Sequence, residues 1–424
     1  MLNIIKYLST RKVFLSNVLF LSIIQYSSYL LPLLVYPYLI TTIGASNFGN
    51  ILFSQSFVAI FGFIISYGFD LSGVKYVSIN RNNKKLINNV FFTITFIRFY
   101  LFLFCFVLFL FLIYNFSIFS DDIALHVLTF MSLLELIVFP RWFFQGLEKM
   151  KYITITFASS KIISTILIFI FVNEPTDHLL VPLFYFISIL LSIIVILYIV
   201  FYDIKIKLYI PTLKDYKDQL IDGYRLFLAS LSVGIYLNAN VFLVGLFCSK
   251  ELVAFYGVAE KIIKVIQSIL KPVADTLFPH ISFINSRSSL KSSIMNIFKI
   301  LKPYSLLLLL VSFLLYLFSE FIVIFLFGES NDEVILIINI MILATLLGPL
   351  NFLIGNVGLM NLNETKYYSK SVVFVSSLSI ILNLILIYNF LAIGAAIAYT
   401  ISELLLFILL YYKFHQIKMI ATNQ

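Results

Sequence analysis

Between Val258 and Ser282 the chain reads VAEKIIKVIQSILKPVADTLFPHIS, with five charges and two prolines set in an otherwise apolar run. On a helix, Glu260, Lys264, Gln267, Lys271 and Asp275 fall within about 80° of one another, a single stripe along one face. Ammonium groups placed this way can replace the water around a phosphate, and desolvated carboxylates beside them can take up a proton or a sodium ion. With helix entry near Val253, Lys264 lies about 16 Å deep, where a lysine facing lipid costs about 2.5–3.5 kcal/mol. The stripe is therefore expected to line a water-filled cavity, and Pro272 and Pro279 fit there, because a backbone carbonyl freed by proline is tolerated only beside protein or water. The alternative is a seam of ion pairs, since Glu260 with Lys264 and Lys271 with Asp275 are each one helical turn apart.

Other charges lie within apolar runs. Arg98 and Lys161 sit about eight residues into their helices, a depth from which long side chains can also snorkel to headgroups. Lys261 neighbours the stripe, and Asp70, Glu135, Glu320 and Glu403 fall inside or at the margins of apolar runs. Glu403, near mid-helix, joins Glu260 and Asp275 as a candidate ion-coupling group. The four histidines are scattered, and no zinc-protease, serine-hydrolase or phosphate-loop motif occurs. No catalytic residue, metal site or cofactor is implied, so any work done here draws on a proton or sodium gradient or on the substrate's own concentration difference.

The elements that hold these groups are read from composition. Hydrophobic residues make up 61% of the 424 positions and charged residues 12%, with mean hydropathy +1.04, which marks an all-α integral membrane protein rather than a soluble one. Runs of about 20 apolar residues divide the chain into twelve expected spans: 17–40, 49–71, 90–114, 122–143, 153–172, 179–202, 224–247, 253–281, 303–327, 334–360, 371–389 and 392–412. The first follows Lys6, Arg11 and Lys12 and is too long for a signal peptide, so it is expected to be retained. With both termini cytoplasmic, 23 Lys and Arg fall on the cytoplasmic side and Lys250 alone on the other, a strong positive-inside asymmetry. The net charge of +9 thus orients the chain in a bilayer and does not call for nucleic acid. Cys105 and Cys248 make no disulfide framework.

Division at the charged loop 203–225 leaves six spans on each side, a first lobe over 1–202 and a second over 226–424, in the same orientation, as a parallel repeat requires. Phe48–Ser56 (FGNILFSQS) aligns weakly with Val253–Lys261 (VAFYGVAEK), which sets Gln55 opposite Glu260.

Four segments carry a family resemblance: QYSSYLLPLLVYPYLITTIGASNFGNILFSQSFVAIF from Gln25 to Phe61, YGFDLSG from Tyr67 to Gly73, FPRWFFQGLEKMKYIT from Phe139 to Thr154, and the Val258–Ser282 stretch itself. Together they resemble bacterial O-antigen flippases, the polysaccharide-transporter branch of the multidrug/oligosaccharidyl-lipid/polysaccharide exporter superfamily. The resemblance implies two six-helix lobes around a central cavity in the bacterial inner membrane. It also implies an undecaprenyl-diphosphate-linked oligosaccharide as cargo, and a polysaccharide polymerase and chain-length regulator as partners of a monomeric transporter. Arg98, Lys161, Lys264 and Lys271 are then candidates to meet the diphosphate and Tyr26 on the first helix a candidate for the glycan, with Lys261, Gln267 and Gln25 further substrate-binding candidates. A multidrug cation antiporter shares the architecture but would need carboxylates to dominate its cavity. An oligosaccharide polymerase would need a large extracytoplasmic loop, and the outside loops here are short.

Overall fold

The computed structural model describes residues 2–269, 290–362 and 364–423; within these helices the side chains of 2–19, 21, 22, 25, 26 and 29, and several between 225 and 237, between 291 and 300 and after 419, fall outside the description. Every regular element among the described residues is helical. This is the expected response to lipid, where each backbone polar group must be satisfied within its own segment. In order, the helices are α1 (Leu2–Ser66), α2 (Phe69–Asn80), α3 (Lys84–Asn115), α4 (Ile123–Met131), α5 (Leu134–Val138), α6 (Arg141–Gly146), α7 (Met150–Phe171), α8 (Leu180–Tyr198), α9 (Leu213–Phe247), α10 (Lys250–Ile269), α11 (Leu290–Phe327), α12 (Asp332–Phe352) and α13 (Thr365–Asn423). Eight helical stretches are long and apolar enough to cross a membrane, and two of them, Leu30–Asn80 and Thr365–Met419, each run across an internal break.

Those breaks fall where the sequence separates spans. Gly44 interrupts α1 at φ 84°, ψ 155°, a backbone conformation that an L side chain disfavours. Leu391 interrupts α13 at φ 53°, ψ −135°, and the chain folds back on itself there. Far from the turn, Tyr367 Oη donates to the Leu409 carbonyl at 3.1 Å and Lys413 pairs with Glu364 at 2.9 Å. Close to the turn the arms nearly touch: a Cβ on Gly394 would lie 2.0 Å from the Leu386 carbonyl oxygen. Gly394→Ala is therefore expected to cost about 1–3 kcal/mol by overpacking, read as a lower unfolding temperature in detergent, because a backbone atom cannot rotate away.

The fourth expected span differs from its prediction. Residues 122–143 form not one helix but α4, α5 and the start of α6. Pro140 has no N–H to donate and disfavours helical geometry in Phe139, which sits at φ −99°, ψ 82°. Arg141 N–H instead bonds the Phe139 carbonyl at 2.8 Å and the chain turns. The tenth span continues from α12 into the wide turn Leu353–Leu359, with Pro349 just before it.

Side-chain exposure sorts each long helix into a packed and a lipid-facing side. Along α11, Leu306, Leu310, Phe313, Leu317, Phe321 and Ile324 are exposed at steps of three and four, while Tyr304, Leu308, Leu315 and Val323 are buried. Ser312, on the packed side, bonds Thr345 Oγ1 of α12 at 2.8 Å.

Two compact units are distinguished: residues 1–43 with 51–239, and 44–50 with 240–424, so that α9 is shared between them. The first has a core around Phe91, Ile94, Trp142 and Phe143. The second has a core around Leu308, Leu353, Leu410 and Phe414.

In the first unit the charged connection ahead of α9 is tied to α3. Asp215 accepts hydrogen bonds from Asn89 Nδ2 at 2.8 Å, Tyr209 Oη at 3.0 Å, and Thr212 N–H and Oγ1 at 2.8 Å each. Burial works against its ionisation, but the Asn89, Thr212 and Tyr209 donors outweigh it and hold the carboxyl down to about 2, against an ordinary 3.8. A carboxyl lowered on folding contributes stability in full above its unfolded value, and loses it as pH falls toward the folded one. The melting temperature of the wild type is thus expected to exceed that of Asp215→Asn by a constant amount above about pH 5, and the gap to close between about pH 4 and 2. A gap that does not change with pH would refute the assignment.

Candidate functional site

The break at Pro140 creates a site that a continuous helix could not. Residues six apart on a helix lie about 240° around the axis from one another, yet Arg141 Nη2 pairs directly with Glu135 Oε1 because the helix is broken between α5 and α6. The Arg141 guanidinium lies over the Phe157 ring of α7, 4.4 Å from its centroid, and over Phe139 at 5.7 Å. Lys161, one turn beyond Phe157, places its ammonium 5.5 Å from the Phe157 and Tyr185 centroids. Phe157 is thus shared by two cations, an arrangement favoured by the negative face of the ring.

Arg98 of α3 completes the cluster. It is 2% exposed, donates to Asp70 Oδ1 at 2.8 Å and to the Leu136 carbonyl at 2.8 Å, and lies 6.0 Å from the Phe69 ring. Its Nε–H is buried without an acceptor among the described residues. Asp70, Arg98, Glu135, Arg141, Trp142 and Gln145 line a cleft of about 250 Å³. Three cations therefore share this region of the first unit with two carboxylates, and among the described residues no carboxylate lies within ion-pair distance of Lys161.

The second unit holds a polar ladder. Glu260 of α10, 5% exposed, receives Lys264 Nζ at 2.9 Å and Asn240 Nδ2 of α9 at 3.2 Å. Asn383 of α13 donates in turn to Asn240 Oδ1 at 3.2 Å. Two turns along α10, Gln267 donates to the Ala344 carbonyl at 2.8 Å and accepts from Tyr399 Oη at 3.2 Å. Gly348 of α12 leaves the space that Gln267 fills, since a Cβ there would meet its Nε2 at 2.5 Å. Glu403, also 5% exposed, accepts from Asn351 Nδ2 at 2.7 Å.

The sequence-selected residues therefore separate into groups. Arg98 and Lys161 belong to the first-unit cluster. Glu260, Lys264 and Gln267 do share one face of α10, and the Glu260–Lys264 pair has the geometry of the ion-paired seam. Lys261, half-buried, lies on the same helix, and Glu403 forms its own contact with Asn351. Lys271 and Asp275 lie outside the described residues. So do the side chains of Gln25 and Tyr26, whose backbone belongs to α1. Asn240, Asn351, Asn383 and Arg141 were not selected from sequence. The amides carry no charge to stand out, although an Asn in mid-span is itself a signal in lipid, and Arg141 stands at the end of the expected fourth span, where a basic residue reads as an orienting charge.

Residues 14–285 match the polysaccharide biosynthesis protein family. The chain belongs to that family. It is 28% identical over 393 residues to a protein named "Putative O-antigen transporter" of Escherichia coli K12, covering 92% of this chain and 94% of that one. A "Probable low-salt glycan biosynthesis flippase Agl15" of Haloferax volcanii is 27% identical over 173 residues, 40% of this chain and 36% of that protein. Among solved structures, an inward-facing multidrug resistance MATE family transporter of the MOP superfamily superposes with TM-score 0.73 at 14% identity, covering 95% of this chain and 99% of the other. "Lipid II flippase MurJ, inward closed conformation" superposes with TM-score 0.65 at 18% identity, covering 96% and 91%. This polysaccharide biosynthesis protein thus has the helical fold of MOP-superfamily membrane transporters.

Proposed function

We propose that this protein is a flippase that carries an undecaprenyl-diphosphate-linked oligosaccharide, an O-antigen or capsular repeat unit, from the cytoplasmic to the periplasmic leaflet of a bacterial inner membrane by alternating access. The observation that carries this reading is the group of three cations, Arg141 and Lys161 over Phe157 and Arg98 lining the same cleft as Arg141, in a chain of the polysaccharide biosynthesis family. Cations at a desolvated cleft can take over the hydration of a diphosphate, and aromatic faces beside them suit a sugar. Lys264 is proposed as a second contact to the diphosphate. Both termini and the 203–225 segment are assigned to the cytoplasm from the basic asymmetry.

Coupling to a proton or sodium gradient is proposed to act through Glu260, Asp275 and Glu403. Transport indifferent to both gradients, and to neutralising all three acids, would sink that assignment. The function itself is tested by deletion of the gene, followed by measurement of lipid-linked repeat units in each leaflet. Accumulation in the cytoplasmic leaflet is expected. Unchanged leaflet distribution, with efflux of a cationic dye by the purified protein in liposomes, would instead make it a multidrug antiporter.

A further inference from the structure

The cleft at Arg98 and Arg141 is already neutralised from within, since Glu135 sits on Arg141 and Asp70 on Arg98. The two pairs are unequal. Asp70 is 54% exposed, so water can solvate it whether or not it is paired; Glu135 is 19% exposed and relies on Arg141, which is itself 43% exposed and reachable from outside. The titratable and charged groups that face Glu135 are Arg141 from α6, Lys161 and, beyond it, Tyr185 from α7 and α8, and Arg98 with Asp70 across the cleft. An anion that takes the Nη2 side of the Arg141 guanidinium replaces Glu135 there, because the donors that bind a carboxylate also bind a phosphate. The stacking on Phe157 keeps that edge in place while the carboxylate leaves. A displaced Glu135 is then a buried carboxylate beside a new anion, and both desolvation and like charge favour its neutral form.

We propose that Glu135 is a resident counter-ion that holds the anion position on Arg141, and that loading of a substrate phosphate displaces it with uptake of one proton. This rests on the flippase reading and names a regulatory step at the same cleft. Two independent observations suit the cleft to an anion. Arg98 lines the cleft and its Nε–H is buried without an acceptor among the described residues, and a phosphate oxygen would supply one. The charges also match once the proton is counted: three cations against Asp70 alone leave two positive charges, and a diphosphate diester carries two negative ones.

The test uses the full-length protein in detergent with a polyprenyl-diphosphate-linked N-acetylglucosamine, a diester with no ionisation of its own near neutrality. Wild-type affinity is expected to fall by up to about tenfold per pH unit between pH 6 and 8, with uptake approaching one proton per ligand bound at pH 7. Glu135→Gln is expected to bind at least as tightly as the wild type at pH 6, with a flat pH profile and no uptake. Inorganic pyrophosphate should bind at least tenfold more weakly; equal binding would make the ligand a free anion rather than a lipid. Wild-type binding that is flat in pH and releases or takes up no proton overturns the counter-ion role while leaving the flippase reading intact, and so does weaker binding by Glu135→Gln. If that variant fails to fold, the carboxylic-acid carbonyl band that ligand binding brings up in the infrared difference spectrum is expected to shift in Glu135→Asp, and an unshifted band overturns the counter-ion role. No binding of the lipid probe at any pH, by protein with an intact unfolding transition, defeats the flippase reading and the counter-ion role with it.

Discussion

Replacing Lys264 by Gln is expected to remove most of the protein from the membrane, and adding Glu260→Gln to bring it back. Glu260 is 5% exposed, and its carboxylate is held by the Lys264 ammonium at 2.9 Å and one amide from Asn240. Removing one partner of a buried pair costs about 3–5 kcal/mol, because the remaining charge stays buried. That is a large part of the roughly 5–15 kcal/mol that holds a typical domain together. The double variant replaces the pair with two amides, which can hydrogen-bond to each other and to Asn240 with no charge to bury. Abundance in isolated membranes measures this part. Transport measures the other: if Lys264 also meets the diphosphate, the restored double variant should flip its substrate at least about tenfold more slowly, since a hydrogen bond to a charged group is worth about 1.5–3 kcal/mol. Normal flipping by the double variant would confine Lys264 to holding α10 in place.

Asp70→Asn should have the second-largest effect. It leaves the Arg98 guanidinium, 2% exposed, with the Leu136 carbonyl but no counter-charge. Because Asp70 itself is about half exposed, the loss should sit at the lower end of about 3–5 kcal/mol. Thermal unfolding in detergent checks the value, and Asp70→Asn combined with Arg98→Leu should be milder than Asp70→Asn alone. An unshifted transition in the single variant would mean that Arg98 is neutralised by other means.

The helical breaks were legible in the sequence where hydropathy and chain-turning residues agree. Gly44 and the step at residues 390–391 separate apolar runs that are each long enough to span, so the interruptions within α1 and α13 follow from length alone. Pro140 was visible too, but its consequence was not: mean apolarity stays high through 122–143, and only the bonding of Arg141 N–H to the Phe139 carbonyl shows the helix breaking into a turn. The pairing of Glu135 with Arg141 was hidden for the same reason, since helical spacing places them on different faces. On α10 the helical wheel worked, because Glu260, Lys264 and Gln267 do lie on one regular helix. Which neighbours that face meets, Asn240, Ala344 and Tyr399, depends on tertiary packing that spacing within a single helix does not encode.

The fold-back at Leu391 bears on how the chain is made. The basic residues of α13, Lys366, Lys370, Lys413 and Lys418, together with Glu364 just before it, all lie toward the open end of the hairpin, with Glu403 the one charge along its arms, while the tip reads Tyr388, Asn389, Phe390, Leu391 and Ala392. A newly synthesised segment of this kind has no polar loop to push across the bilayer. Its two arms can slip in together, tip first, with the basic residues left behind on the side of entry.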